Sequence, residues 1–394
     1  MTDYYFLALP AIYGLLSMLI KKCGSWAFAL IIGLISLLIA PDNLPFFEKV
    51  SVLFSILLFT VWNVLSFKAN NLERASSAFS LFGVLVGILS EDIYGVMLSL
   101  GLISVTTVGI LFHGHDWRNG YLIGSNYIIF SALSLLMIVL SLAFGLSISF
   151  NDLAKSSRIG QLLLLLGLLS KLGLPVLNPS GYPLYSYVCN GTRLAFWSSV
   201  FKFFVCLIFL KVLKNLNPEV TNPLLLLISL SSLIISAGVL SKSEHLRPFI
   251  AASSMLSVST VAFFASQIPA GNLTIYFFFY SLSTLVVLKT LDAKVPLRSV
   301  YPWLAGIGLL VAGGVSPLLL VSLFKFHFLS SANIDPMLVA ISGFVLLGST
   351  YFYSKQSVHL FKEASEKMPR EYASLVLILV LFAVFSLIYP ELFF

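Results

Sequence analysis

Charge is what this sequence has least of. Only 10% of its 394 residues are Asp, Glu, Lys or Arg, against 59% hydrophobic residues. Soluble proteins are roughly a quarter charged, so there is too little polar side chain here to coat a water-soluble globule. Lipid is then the solvent. In lipid the backbone N–H and C=O groups must be satisfied within the chain, which leaves helices or closed barrels as spanning structures. The apolar runs are long and continuous rather than alternating, and this selects helices.

Other absences narrow the function. There are three cysteines, Cys23, Cys189 and Cys206, with no CxxC pair and no metal-ligand spacing, so they read as inert packing residues. Of the five histidines, His113 and His115 share one loop with no third ligand, which reads as loop polarity rather than a metal site. No GxGxxG follows a strand, and there is neither a P-loop nor a nucleophile elbow. The net charge of +7 comes without a basic cluster on a soluble face. It therefore implies positively charged loops and a few special lysines, not nucleic-acid binding. Met1-Thr2-Asp3 leads straight into apolar residues with no basic n-region, so the first helix is expected to be kept.

What is present is a series of apolar runs. A span needs about 20 residues. The runs predict about fourteen helices, at 4–20, 24–40, 50–67, 76–90, 92–113, 125–149, 159–177, 183–213, 222–240, 246–268, 272–291, 301–331, 335–355 and 372–392. Lys21, Lys22, Lys68 and Arg74 fall in the loops after the first and third helices, while Lys49, Glu91 and Asp92 fall in the intervening ones. The positive-inside rule then puts the N-terminus away from the cytoplasm or matrix.

Two runs are too long for one crossing, and each contains a breaker. These are Asn190 and Gly191 in the first, and Gly313, Gly314 and Pro317 in the second. Broken membrane helices are tolerated where the freed backbone lines a cavity or packs in protein, and they mark ion or substrate sites in inverted-repeat transporters. The two runs also share a pattern. Gly191 precedes Ser199-Val200-Phe201-Lys202-Phe203, and Gly314 precedes Ser322-Leu323-Phe324-Lys325-Phe326. In each, glycine stands 11 residues before lysine, and the copies lie 123 residues apart, about five helices. An odd number of helices per copy inverts the second copy relative to the first.

A lysine in mid-bilayer costs about 2.5–3.5 kcal/mol on insertion scales. Lys171, Lys202 and Lys325 all lie well inside apolar runs. Removal from water disfavours the ammonium relative to the neutral amine. An amine able to hold either charge state there can pass a proton. Lysines near helix ends can instead snorkel to the interface, which is the reading for Lys211, Lys214 and Lys289. The same reading competes at Lys171, because Gly173 and Pro175 can end its helix early.

These residues resemble a known family, the antiporter-like proton-pumping subunits of NADH:ubiquinone oxidoreductase (respiratory complex I), and subunit 2 most. The family carries Lys-x-Gly-x-x-Pro; here Lys171-Leu172-Gly173-Leu174-Pro175 is similar, one residue shorter. The family continues with a glycine break and Ala-Phe-Leu-Ser-Thr-x-x-Lys. Gly191 and Ala195-Phe196-Trp197-Ser198-Ser199-Val200-Phe201-Lys202 resemble these. Leu246-Arg247-Pro248-Phe249-Ile250-Ala251-Ala252-Ser253-Ser254-Met255-Leu256-Ser257 is similar to a later run that ends in histidine in the family. Gly314-Val315-Ser316-Pro317 followed by Lys325 resembles the Gly-Ile-Pro-Pro helix and its lysine. The resemblance covers roughly residues 85–360.

The resemblance implies an all-α integral membrane protein with two inverted five-helix repeats, each containing a broken helix. Its layout would be N-terminal helices at 1–75, a first repeat at 76–240, a second at 241–355 and a C-terminal helix at 356–394. It implies that Lys202 is the central proton-carrying lysine, Lys171 its input-side neighbour and Lys325 the exit-side group. The chain would bind no cofactor itself, with NADH, FMN, iron–sulfur clusters and ubiquinone held by other subunits. Its partners would be other membrane-arm subunits and lipids, in the mitochondrial inner membrane or, alternatively, a bacterial plasma membrane.

The sequence also departs from the family. The glutamate that the family places in the fifth helix aligns with Gly101, and Glu91 is ten residues away, about 15 Å along a helix. The Phe-His-x-Trp stretch is replaced by Val176-Leu177-Asn178-Pro179. The eighth helix has no lysine, only Ser229, Ser231, Ser232 and Ser236, which can hold water or simply pack. Two alternatives follow: a structural membrane-arm subunit that has lost pumping, or an independent cation/proton antiporter, for which the core helices lack carboxylates.

Overall fold

A computed structural model describes residues 6–19, 26–39, 44–66, 69–112, 117–180, 191–243, 245–291, 306, 309–313, 320–331 and 335–363. The elements are α1 (Ala8–Leu19), α2 (Trp26–Ile39), α3 (Phe46–Leu65), α4 (Asn71–Leu89), α5 (Ile93–Phe112), α6 (Trp117–Ala143) and α7 (Arg158–Leu172). Next comes α8, which starts at Gly191–Ala195, passes through a π turn at Phe196–Phe201 and continues as Lys202–Leu213. The remainder are α9 (Pro218–Lys242), α10 (Leu246–Phe264), α11 (Ala270–Leu291), α12 (Leu320–Ser331) and α13 (Pro336–Glu363). The one β contact among the described residues is an isolated bridge between Asp92 and Ser149.

Among the described residues, eight helices are long and apolar enough to cross a membrane. The chain is thus an all-α, multi-pass membrane protein, as its composition requires. The predicted last span, 372–392, and the break residues Asn190, Gly314 and Pro317 lie outside the described residues, as do Cys23, Cys189, His113 and His115.

Several boundaries shift for local reasons. α4 starts at Asn71 because Asn70 and Glu73 form a capping box. The Asn70 side chain accepts from the Glu73 N–H at 2.8 Å, and Glu73 accepts from the Asn70 N–H at 3.0 Å. This satisfies two helix-end donors at once and draws Glu73 and Arg74 into the bundle. Arg74 is buried and is not the loop charge that the orientation reading counts. α7 ends at Leu172, short of the predicted 177, because Gly173 adopts φ +84°. That left-handed conformation suits glycine and closes a helix C-terminus.

The core is organised around α8. Residues Arg193–Leu213 form a span that is buried all along, and its segments pack against α3, α4, α5, α7, α10 and α11. Outer helices keep an apolar face open to lipid or partner, as Leu98 and Val105 do on α5, and Ile129 and Leu136 on α6.

α6 and α7 approach closely through Gly167. A Cβ there would stand 2.7 Å from Ile138 Cγ1 and 2.8 Å from the Ser134 carbonyl oxygen. Small residues at helix contacts are the usual device for close packing in lipid. Gly167→Val must therefore push two backbones apart, costing about 1–3 kcal/mol by overpacking. It is expected to lower the melting temperature of the detergent-solubilised protein. Gly348→Ala, where nothing lies within 4 Å of the new Cβ, should leave it unchanged. Equal melting of the two variants would contradict this packing.

Candidate functional site

The π turn at Phe196–Phe201 comes directly before Lys202. Such turns are rare and concentrate at functional positions. Trp197 in this turn presents its ring to Lys202, with Nζ 4.7 Å from the ring centroid. Lys171, at the end of α7, and Lys202 line one small cavity together with Tyr127, Asn178, Ser180 and Trp197. About 10 Å³ of that cavity is open to the centre of a water molecule, room for about one water. The sequence reading placed these two lysines on different helices; the structure brings them to one space.

The two lysines differ in their partners. Lys171 is 4% exposed and Lys202 1%. Lys171 Nζ donates to the hydroxyl of Ser131 on α6, so it is held inside the bundle and does not snorkel. Lys202 Nζ has no protein acceptor among the described residues. Gly173 adjoins it: Lys202 Cε lies 3.9 Å from where a Gly173 Cβ would be, an ordinary van der Waals contact.

Lys325 on α12 is buried as well, at 4% exposure. Its Nζ donates to the carbonyl of Gly313 at 2.7 Å and lies 5.8 Å from the Tyr353 ring centroid. Gly313 is pressed on that ring, since a Cβ there would stand 2.5 Å from Tyr353 Cγ. Of the predicted break residues, Gly313 therefore supplies its carbonyl to Lys325. Gly191 is the first helical residue of α8.

Sequence reasoning missed a second set of buried charges. Arg193 at the start of α8 pairs with Glu73 of α4, Nε to Oε1 2.7 Å. Arg74 donates to the carbonyls of Asn63 and Ser66 at 3.1 and 2.8 Å, and to Asn63 Oδ1 at 3.3 Å. Lys211 does not snorkel: it is buried and donates to the carbonyls of Ile88 and, at 2.6 Å, Ser90. Lys214 pairs with Glu48 at 2.6 Å, and the side chain of Lys289 lies outside the described ones. The signal that could have found Glu73 was the Asn70-x-x-Glu73 capping box. At Gly101, the position aligned with the family's glutamate, the helix face is half-buried and nothing lies within 4 Å of a Cβ. Among the described residues, the carboxylates that reach α8 do so at its ends, Glu73 at Arg193 and Glu48 at Lys214.

No family model matches the sequence, and no curated protein does. The fold does match solved structures. A chain of the membrane-bound sulfane sulfur reductase (MBS), an archaeal respiratory membrane complex, aligns with TM-score 0.82 at 16% identity, covering 99% of this chain and 95% of that one. A chain of respiratory complex I from Thermus thermophilus aligns with TM-score 0.80 at 16% identity, covering 98% of each. A chain of the Mrp complex from Dietzia sp. DQ12-45-1b aligns with TM-score 0.77 at 10% identity, covering 94% of this chain and 81% of that one. The chain therefore shares its fold with chains of these three complexes, respiratory complex I among them, as the sequence resemblance implied.

The Glu73–Arg193 pair yields a test of the α4–α8 contact. Removing one partner of a buried pair costs about 3–5 kcal/mol. Glu73→Gln keeps the capping geometry but removes the charge, and should destabilise the protein by an amount of that order. The double variant with Arg193→Gln should lose less than the sum of the two single losses, measured by thermal melting. Simple additivity would show that the pair carries no coupling.

Proposed function

We propose that this chain is a membrane-arm subunit of respiratory complex I, of the subunit 2 type, and that it moves protons by switching the charge state of Lys202. One observation carries the reading: Lys202 stands on the fully buried central helix, beside a water-sized cavity shared with Lys171, with no protein acceptor for its Nζ among the described residues. Its described partner there is the face of the Trp197 ring, 4.7 Å from Nζ, and not a carboxylate. A proton arriving by way of Lys171 and Ser131 has a place to rest and a reason to leave.

In this reading the chain consists of two inverted five-helix units, 76–240 and 241–355, flanked by N-terminal helices at 1–75 and a C-terminal helix at 356–394. Lys325 is the exit-side group of the second unit. Electron transfer from NADH through FMN and iron–sulfur clusters to ubiquinone belongs to other subunits. This chain contributes to the enzyme only the coupled movement of protons. It sits among other membrane-arm subunits and lipids in the mitochondrial inner membrane, with a bacterial plasma membrane as the alternative. A second reading, a structural subunit that no longer pumps, is favoured by the missing carboxylate at Gly101.

The two readings separate in the assembled complex. Lys202→Ala and Lys325→Ala are expected to leave assembly intact and to slow proton transfer through this chain by about a hundredfold, the low end of the loss when a positioned proton-transfer group is removed, and so to lower the protons moved per electron. Proton-to-electron stoichiometry measured in vesicles decides it. An unchanged ratio in both variants would leave only the structural reading.

A further inference from the structure

We propose that the cavity shared by Lys171 and Lys202 is a binding site for one small monovalent anion of the halide class. The sequence around these lysines supplies cations and no carboxylate. Between Asp152 and Glu219 stand seven Lys and Arg and not one Asp or Glu. α6, which brings Tyr127 and Ser131 to the lysines, has no Asp or Glu either. Among the described residues, the carboxylates on α8 sit at its two ends, on Arg193 and Lys214. Two ammonium groups around one cavity repel each other, and the repulsion grows where water is excluded.

The cavity is also rich in donors. An ammonium has three N–H bonds to place. Lys202 Nζ finds no acceptor for them among the described residues, and Lys171 places one on Ser131. The hydroxyl of Tyr127, a residue 4% exposed, finds no acceptor for its proton among the described residues. All three residues line the cavity. The side-chain carbonyl that lines it is already engaged: Asn178 Oδ1 accepts from both the hydroxyl and the N–H of Ser180. The Asn178 amide donates to the Ser170 carbonyl at 3.1 Å. A water placed here would bring two protons that need acceptors of their own. A halide brings none and accepts from several donors at once. The space fits one water, and a halide ion is little larger. Sulfate and phosphate are too bulky for it.

The anion site stands without the proton-moving reading. Where that reading holds, the bound anion is the counter-charge against which Lys202 keeps its proton. One side of Lys202 then faces the Trp197 ring, and the cavity side faces the anion.

Bromide tests the site. In crystals of the assembled complex grown in bromide, an anomalous peak is expected in the cavity, within hydrogen-bond reach of Lys171 and Lys202 Nζ. For the detergent-solubilised full chain, bromide should raise the melting temperature by about 2–4 °C over gluconate at equal ionic strength. Sulfate should not. Lys202→Met should abolish the bromide effect. Tyr127→Phe keeps the ring packing and removes one donor, and should raise the bromide concentration for half the effect by about tenfold. If there is no peak and bromide and gluconate melt alike, the site is overturned, while the effect of Lys202→Ala on proton transfer still judges the proton reading. If bromide stabilises both variants as it does the parent, it binds elsewhere and the site is overturned. A peak at crystal bromide concentration with no melting effect at physiological halide is an adventitious ion only, and overturns it too. If the peak and both variant effects are found but Lys202→Ala leaves proton transfer unchanged, the site stands and the proton reading falls.

Discussion

A cation withdrawn from water must find an acceptor, an aromatic face or a way to lose its proton, and the packing of this chain is arranged around that requirement. Three buried cations take the same solution. Arg74 holds the last carbonyls of α3 at Asn63 and Ser66. Lys211 holds those of α4 at Ile88 and Ser90. Lys325 likewise holds a backbone carbonyl, that of Gly313. Helix C-termini leave carbonyls without intrahelical partners and carry partial negative charge. In lipid those carbonyls cannot turn to water, so the Arg74 and Lys211 bonds each settle a cation and a helix end together. They also fasten one helix to another: α8 to α4, and α4 to α3.

Lys202 stands apart. Among the buried cations whose side chains are described, it is the one whose nitrogen meets no protein acceptor, having only the Trp197 ring at 4.7 Å. A desolvated cation–π contact is worth about 2 kcal/mol and so offsets much of the cost of about 2.5–3.5 kcal/mol for placing a lysine in mid-membrane. The π turn, the αL glycine at Gly173 and the water-sized cavity all adjoin this one side chain. That concentration of irregular backbone around a single lysine is the physical basis of the functional reading.

Much of the architecture was legible in the sequence because hydrophobic runs and charge positions are direct consequences of the solvent. Lipid permits helices, and lysines inside them stand out. The repeated Ser-x-Phe-Lys-Phe run singles out Lys202 and Lys325, and both are buried. What the sequence could not convey was which groups meet. Nothing in the spacing says that Gly173 adjoins Lys202, because that contact depends on how α7 packs on α8. Glu73 was hidden by a boundary placed five residues late, since apolar content alone does not reveal a capping box. Lys211 looked like a snorkelling residue because its acceptors, Ile88 and Ser90, lie over a hundred residues away.

For protons to move as proposed, Lys202 must change charge state, not merely carry charge. Lys202→Arg tests this most directly. Arginine keeps a cation at the position and cannot release its proton in a protein. Proton transfer per electron in the assembled complex is predicted to fall as far in Lys202→Arg as in Lys202→Ala. Proton transfer retained in Lys202→Arg would contradict the account, because a fixed positive charge would then suffice.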